Sequence, residues 1–296
     1  MLSVPTLLSF NVPNAAQPRL THRLACWQWG NPDAAQTILC VHGLTRNGRD
    51  FDTLAEALSK DYRVLCPDMP GRGKSEWLVD PTGYNNAAYV AGILFMLGQL
   101  GITQIHWIGT SMGGILGLLA ANTAPGLIRA LVLNDVGCLI PAAALTRILS
   151  YAKVSNSFST RAEAEAALRF RCAPFGVPDE AHWQLLFEHG IEPDGGGFRL
   201  TCDPAMFAMG PPADQPMQDV NLWGLWPAVT AVPMLLIRGT ESDILPRGVA
   251  LQMQASHPRF TFREIAGTGH APALMTPEQV EMVREWLSAP PNGGVR

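Results

Sequence analysis

Short apolar runs alternating with helical patterns constrain this chain more than any other feature. Thr37–Val41 reads TILCV and stops at His42-Gly43. Such a run, too short for a helix and apolar on both faces, suits a strand covered on both sides by helices. Tyr62–Cys66, Gln104–Ile108, Ala130–Leu133, Pro233–Arg238 and Phe260–Ile265 repeat the pattern, and Leu24–Trp29 alternates enough to be an earlier strand. Between them Asp52–Leu58, Asn85–Leu100, Met112–Asn122, Arg247–Ala255 and Pro277–Leu287 read as helices. Strand–helix alternation implies helical crossovers between parallel strands, hence a mostly parallel, doubly wound α/β sheet.

The middle of the chain departs from this rhythm. From about Cys138 to Val229 there are helical signals but no convincing apolar strand. Thr160-Arg161-Ala162-Glu163 is a capping box that opens an Ala-rich helix to Arg171. Pro178-Asp179-Glu180 opens another, while Gly195-Gly196-Gly197 and Gly210–Pro216 are loop-like. The expected organisation is a core built from 1–137 and 229–296, with a helical cap inserted at 138–228.

Composition narrows the function classes. Apolar residues make up 47% and charged residues 16% of 296 residues, enough for a large buried core. A net charge of −4 without a basic run leaves no footprint for nucleic acid and no polybasic membrane patch. The start MLSVPTLLSFNVPNAAQPRL lacks a basic n-region and is interrupted by Pro5 and Pro13, which makes it a poor signal peptide. The densest apolar stretch, Ile115–Ala121, is too short to span a bilayer. The six cysteines, Cys26, Cys40, Cys66, Cys138, Cys172 and Cys202, form no CxxC and read as free thiols. These features point to a soluble, cytoplasmic protein acting on a small molecule, with its oligomeric state unread and a frayed tail at Ala289–Arg296.

The chemistry centres on Gly109-Thr110-Ser111-Met112-Gly113, between the strand Gln104–Ile108 and the helix Met112–Asn122. A turn that sharp leaves no room for side chains at the flanking positions and lifts the serine hydroxyl above the sheet. The helix N-terminus beneath it favours developing negative charge. A serine hydroxyl needs a base, and in strand–turn–helix sites of this type an acid and then a histidine follow the serine in the chain. His270 lies in the small-residue loop Ala266-Gly267-Thr268-Gly269-His270-Ala271-Pro272 after a strand. His257, ahead of Pro258 at a helix end, reads as solvent-facing. For the acid, Asp243 after Pro233–Arg238 is the first choice, Asp135 after Ala130–Leu133 the rival, and Glu241 a distant third. The amides of Met112 and Leu44 are the candidate oxyanion donors. His42 reads as structural. Asp68 and Arg72, in Pro67-Asp68-Met69-Pro70-Gly71-Arg72-Gly73-Lys74-Ser75, read as braces of a turn, since the P-loop pattern is absent.

HGLTRNG, PDMPGRGKS, GTSMGG, RGTESD and GTGHAP, in this order and spacing, resemble the α/β-hydrolase superfamily over most of the chain outside roughly 140–228. The resemblance implies an α/β-hydrolase fold with a catalytic triad of Ser111, Asp243 and His270, an oxyanion hole at Leu44 and Met112, and no metal or organic cofactor. Some members of the fold take the acid at the position of Asp135. Among subgroups the chain is most similar to bacterial intracellular serine carboxylesterases, some of which accept aliphatic polyester oligomers. Haloalkane dehalogenases and most epoxide hydrolases of the fold carry Asp at the nucleophile position. Carbon–carbon (meta-cleavage product) hydrolases share the serine and a cap, and are the alternative. A non-catalytic binding protein on this fold typically lacks a triad member. The expected activity is hydrolysis of short- to medium-chain aliphatic esters, with Met206, Phe207, Met209, Trp223 and Trp226 as candidate apolar liners of an uncharged pocket. Arg161, Arg169 and Arg171 are expected on a solvated helix face.

Overall fold

The computed structural model describes residues 4–14, 19–150, 156–209 and 216–288. Eight strands form the central sheet: β1 (Thr6–Pro13), β2 (Thr21–Trp29), β3 (Thr37–Val41), β4 (Arg63–Pro67), β5 (Ile105–Thr110), β6 (Ile128–Asn134), β12 (Met234–Gly239) and β13 (Phe260–Ile265). Their order is β1-β2-β4-β3-β5-β6-β12-β13. From β4 to β13 every pairing is parallel. β1 and β2 join antiparallel at one edge, making the sheet mixed.

The strand period sorts the core into two layers. Leu39 and Val41 of β3 pack with Trp107, Leu131 and Leu236 on one face, under α2 (Asn86–Gln99), α3 (Met112–Thr123) and α7 (Arg247–Ala255). Ile38 and Cys40 pack with Val64, Ile108 and Ile237 on the other, under α1 (Asp52–Leu58) and α8 (Pro277–Ser288). Both faces are covered, which is why these strands carry almost no polar residues. All six cysteines are free and buried. No helix among the described residues is long and apolar enough to cross a membrane.

β1 was not legible in the sequence. It is an edge strand with a largely exposed or half-buried face, so it lacks the apolar run that marks its neighbours. The inserted segment also holds more strand than expected. Between β6 and β12 lie β7 (Leu139–Ile140), α4 (Ala142–Ser150), β8 (Ser157–Phe158), α5 (Arg161–Cys172), α6 (Glu180–Gly190), β9 (Ile191–Asp194), β10 (Gly197–Leu200) and β11 (Val220–Asn221). β8, β10 and β9 form one small sheet, and β11 and β7 another. Strands of two to four residues are too short to leave a period in the sequence. Gly195 and Gly196, with φ of +54° and +90°, turn β9 into β10; the triple glycine is a hairpin turn rather than a loop. The capping box forms as read: Thr160 Oγ1 accepts from the Glu163 amide, and the Glu163 carboxylate accepts from the Thr160 amide. Most of Gly210–Pro216 and all of Ala289–Arg296 lie outside the described residues.

Candidate active site

β5 runs into α3 through a one-residue elbow. Ser111 has φ +53° and ψ −115°, a conformation that side chains other than glycine rarely adopt. The flanking glycines are required sterically. A Cβ on Gly109 would sit 2.3 Å from the Gly113 oxygen, and one on Gly113 would sit 1.9 Å from the Val41 oxygen. Trp107 Nε1 donates to the Gly113 oxygen at 2.9 Å, and the Ser111 amide donates to Asn134 O at 2.9 Å, so the elbow is tied into β5 and β6.

The structure brings Ser111 and His270 together. The Ser111 hydroxyl faces His270 Nε2 at 2.8 Å. His270 Nδ1 donates at 2.6 Å to Asp135 Oδ2, not to Asp243. This corrects the expected acid. Asp135 follows β6 directly, is fully buried, and has φ +57°. That left-handed turn, anchored by the Asp135 amide on Ile237 O at 2.8 Å, holds the carboxylate in place. Oδ1 accepts from the Gly239 amide at 3.0 Å, and Oδ2 accepts from the Ser242 hydroxyl at 2.6 Å. Asp243 lies at 45% side-chain exposure and takes the Arg147 guanidinium at 2.6 and 2.8 Å. Partial burial pushes its carboxyl up, but Arg147 prevails and holds it below the usual carboxylate range. Glu241 is in the same loop and contributes its amide to Thr268 O.

Ser242 is a site residue that sequence reasoning passed over. Its hydroxyl bridges the Leu245 amide, at 3.1 Å, to Asp135. The only signal was its place in RGTESD, beside the aspartate that drew attention instead.

The loop after β3 faces the elbow: a Cβ on Gly43 would be 3.7 Å from Ser111 Cβ. His42 holds this loop. Its Nε2 accepts from the Met69 amide at 2.9 Å, which leaves Nδ1 protonated to donate to Gly43 O at 2.7 Å. Burial lowers His42 to about 3, so it stays neutral. Arg72, fully buried, donates from Nε to Leu44 O at 2.9 Å and from Nη1 to Pro70 O and Tyr89 Oη, each at 2.6 Å. Asp68 accepts from the Gly48 and Lys74 amides at 2.7 and 2.8 Å. Both residues brace loops, as read. Leu44 thus sits in a fixed loop lining the Ser111 cavity, and Met112 is the first residue of α3, immediately after Ser111.

The cavity over Ser111 is walled by the β3 loop, by the His270–Ala273 loop, and by Arg147, Ile148, Arg171, Phe175 and Leu186 of the inserted segment. Of the expected liners, Met206, Phe207, Trp223 and Trp226 do not belong to this wall. Met206 is buried in the core, and Phe207 packs against it half-buried. Trp223 and Trp226 pack edge-on at 5.9 Å, and Trp226 Nε1 donates to Ser256 Oγ at 3.0 Å. The side chain of Met209 lies outside the described residues. Met206, Phe207, Trp223 and Trp226 instead pack in or against the core. Nor is the cavity uncharged. Arg171, expected on a solvated face, is 6% exposed, whereas Arg161 and Arg169 do lie outside on Glu165 and Glu180. His257 is also buried rather than solvent-facing, with Nε2 3.0 Å from Val229 O.

Known proteins agree with this architecture. The chain is 36% identical over 278 residues to a 3-hydroxybutyrate-oligomer hydrolase of Cupriavidus necator, covering 92% of this chain and 94% of the relative. A structure from Rickettsia typhi aligns with a TM-score of 0.88 at 32% identity, covering 97% of this chain and 100% of that one. An alpha/beta hydrolase from Novosphingobium aromaticivorans aligns at 0.82 and 32%, covering 97% and 99%. Residues 36–275 match the family described as alpha/beta hydrolase fold. With this match and the eight-stranded, mostly parallel sheet around the Ser111 elbow, the chain belongs to the α/β-hydrolase fold family.

Proposed function

We propose that this chain hydrolyses carboxylic esters through an acyl-enzyme on Ser111. The observation that carries this reading is the continuous relay from Ser111 Oγ through His270 to Asp135, at 2.8 and 2.6 Å. His270 Nε2 takes the hydroxyl proton as Oγ attacks the ester carbonyl. Asp135 holds the tautomer with Nδ1 protonated and stabilises the imidazolium. The Leu44 and Met112 amides bind the oxyanion. His270 then gives its proton to the departing alcohol, and water, activated in the same way, releases the acid and restores Ser111.

Short- to medium-chain aliphatic esters and polyester oligomers are the proposed substrates. The hydroxybutyrate-oligomer hydrolase relative supports this class, and Leu44, Ile148, Phe175, Leu186 and Met275 supply an apolar wall for an aliphatic chain. A second reading, carbon–carbon bond hydrolysis of a dienol carboxylate, draws support from Arg147 and Arg171 in the same wall. The test is a panel of p-nitrophenyl esters and a hydroxybutyrate oligomer beside a vinylogous 1,5-diketone. Ester turnover should lead, a serine-directed phosphonate should label Ser111, and Ser111→Ala should lower kcat by several orders of magnitude with the fold intact. Ordinary turnover by folded Ser111→Ala, or a clear preference for the diketone, would overturn the reading.

A further inference from the structure

β6 runs apolar through Ala130–Leu133 and then ends on an amide, Asn134, which is buried like the residues before it. Its side-chain oxygen is buried without a hydrogen-bond partner among the described residues. An unpaired buried acceptor is costly, and a leucine or valine would close the strand without that cost. The amide nitrogen, by contrast, has a use for each of its two hydrogens. Nδ2 donates to Thr110 Oγ1 at 3.1 Å and to Pro272 O at 2.8 Å. Thr110 lies opposite Asn134 in the β5–β6 register and immediately precedes Ser111. Pro272 lies two residues beyond His270. The Asn134 backbone oxygen accepts from the Ser111 amide at 2.9 Å, and the next residue in the chain is Asp135. Other tethers of the His270 loop run elsewhere: the Gly269 and Ala273 amides donate to Pro174 O and Phe175 O of the insertion, and the Gly267 amide to Thr240 Oγ1.

We infer that Asn134 is a positioning residue for acyl transfer: its carboxamide joins the nucleophile elbow to the loop of the base and sets the 2.8 Å approach of His270 Nε2 to Ser111 Oγ. The inference rests on the ester-hydrolase reading and deepens it. Asp135 fixes the tautomer and tilt of the imidazole, but it sits on the far side of the ring from the serine. The span between elbow and base loop needs its own brace, because β5 and the segment after β13 are not neighbours in the sheet. Asn134 supplies that brace from the strand between them, touching no reacting atom with its side chain. A small misplacement of a catalytic pair is enough to cost a large factor in rate.

The test is Asn134→Leu, which keeps the bulk and removes both donors. Steady-state hydrolysis of p-nitrophenyl butyrate is measured per active site, with sites counted by exhaustive titration with a serine-directed phosphonate. The expected result is a kcat lower by about tenfold to a hundredfold per titrated site, with KM within about threefold of wild type, and phosphonate labelling slowed in parallel. Thr110→Val keeps the Pro272 bond, so it should lose less than about fivefold and add nothing further in the double variant. A residue that served stability alone would lower the number of titrated sites and leave kcat per site unchanged, and that result overturns the inference. So does a fall of less than tenfold, a loss confined to KM, or full additivity of the two substitutions. If thermal melts show that Asn134→Leu does not fold, Asn134→Ala decides by the same criteria. Wild-type turnover separates the two levels. Ester hydrolysis by wild type that Asn134→Leu leaves intact sinks only this inference, whereas no turnover of any ester by wild type sinks the ester-hydrolase reading beneath it.

Discussion

Asp135→Asn is the most discriminating single change. The carboxylate is fully buried and accepts three donors: the Gly239 amide, the Ser242 hydroxyl and His270 Nδ1. Asn has the same shape, so packing survives. Its Oδ1 can keep the Gly239 amide, but its NH₂ then points at Ser242 and His270. The serine hydroxyl can rotate to accept. The imidazole can accept only by moving its proton to Nε2, where it can no longer take the proton of Ser111. The expected loss is about 10⁴ in kcat, or about 5.5 kcal/mol of transition-state stabilisation, as for other triads whose histidine is trapped in the wrong tautomer. Asp243→Asn breaks an ion pair whose partners are 33% and 45% exposed. Exposed pairs contribute about 0–1 kcal/mol, so kcat should fall less than about fivefold. The assay is steady-state hydrolysis of p-nitrophenyl butyrate, with thermal melts and active-site titration by a phosphonate to show that each variant is folded. If Asp135→Asn stays within tenfold of wild type, or Asp243→Asn falls a thousandfold, the acid has been misplaced.

Other expected outcomes follow from the same geometry. Ser242→Ala removes one donor to Asp135 and strands the Leu245 amide, so urea unfolding should show a loss of about 1–3 kcal/mol while kcat stays within about tenfold. Gly113→Ala should prevent soluble expression or unfold the protein, because its Cβ would sit 1.9 Å from the Val41 oxygen; a folded, active variant would contradict the elbow. Buried His42 titrates near 3 in the fold and near 6.5 when unfolded, so the unfolded chain binds the extra proton between those values. His42 therefore lowers stability as pH falls below about 6.5, by about 1.4 kcal/mol per pH unit until the folded state protonates. Denaturant melts of wild type and His42→Gln from pH 7.5 to 4.5 should converge by that slope, and parallel curves would show that His42 is not held neutral.

Features governed by short-range physics were legible before any contact between distant parts of the chain was known. β3, buried along its whole length, had to be apolar and was legible to the residue; the edge strand β13 was legible from its period, and the others within a residue or two apart from the longer ends of β2 and β6. The elbow was legible because its glycines answer to atoms only a few residues away or on the adjacent strand. The base was legible because a glycine-rich loop follows the last strand. The acid was not. Asp135 and Asp243 both follow strands of the sheet, and nothing within either loop records which one reaches His270. That choice was made by a left-handed turn at Asp135 and by a hydroxyl from Ser242, 107 residues further along the chain. The cavity wall was equally hidden. Arg171 and Arg169 share one helix and look alike in sequence, yet only Arg171 faces inward. Whether a charge on such a helix meets water or the Ser111 cavity depends on how the inserted segment docks over the sheet. Contacts between distant parts of the chain decide that docking, and they leave no local period to read.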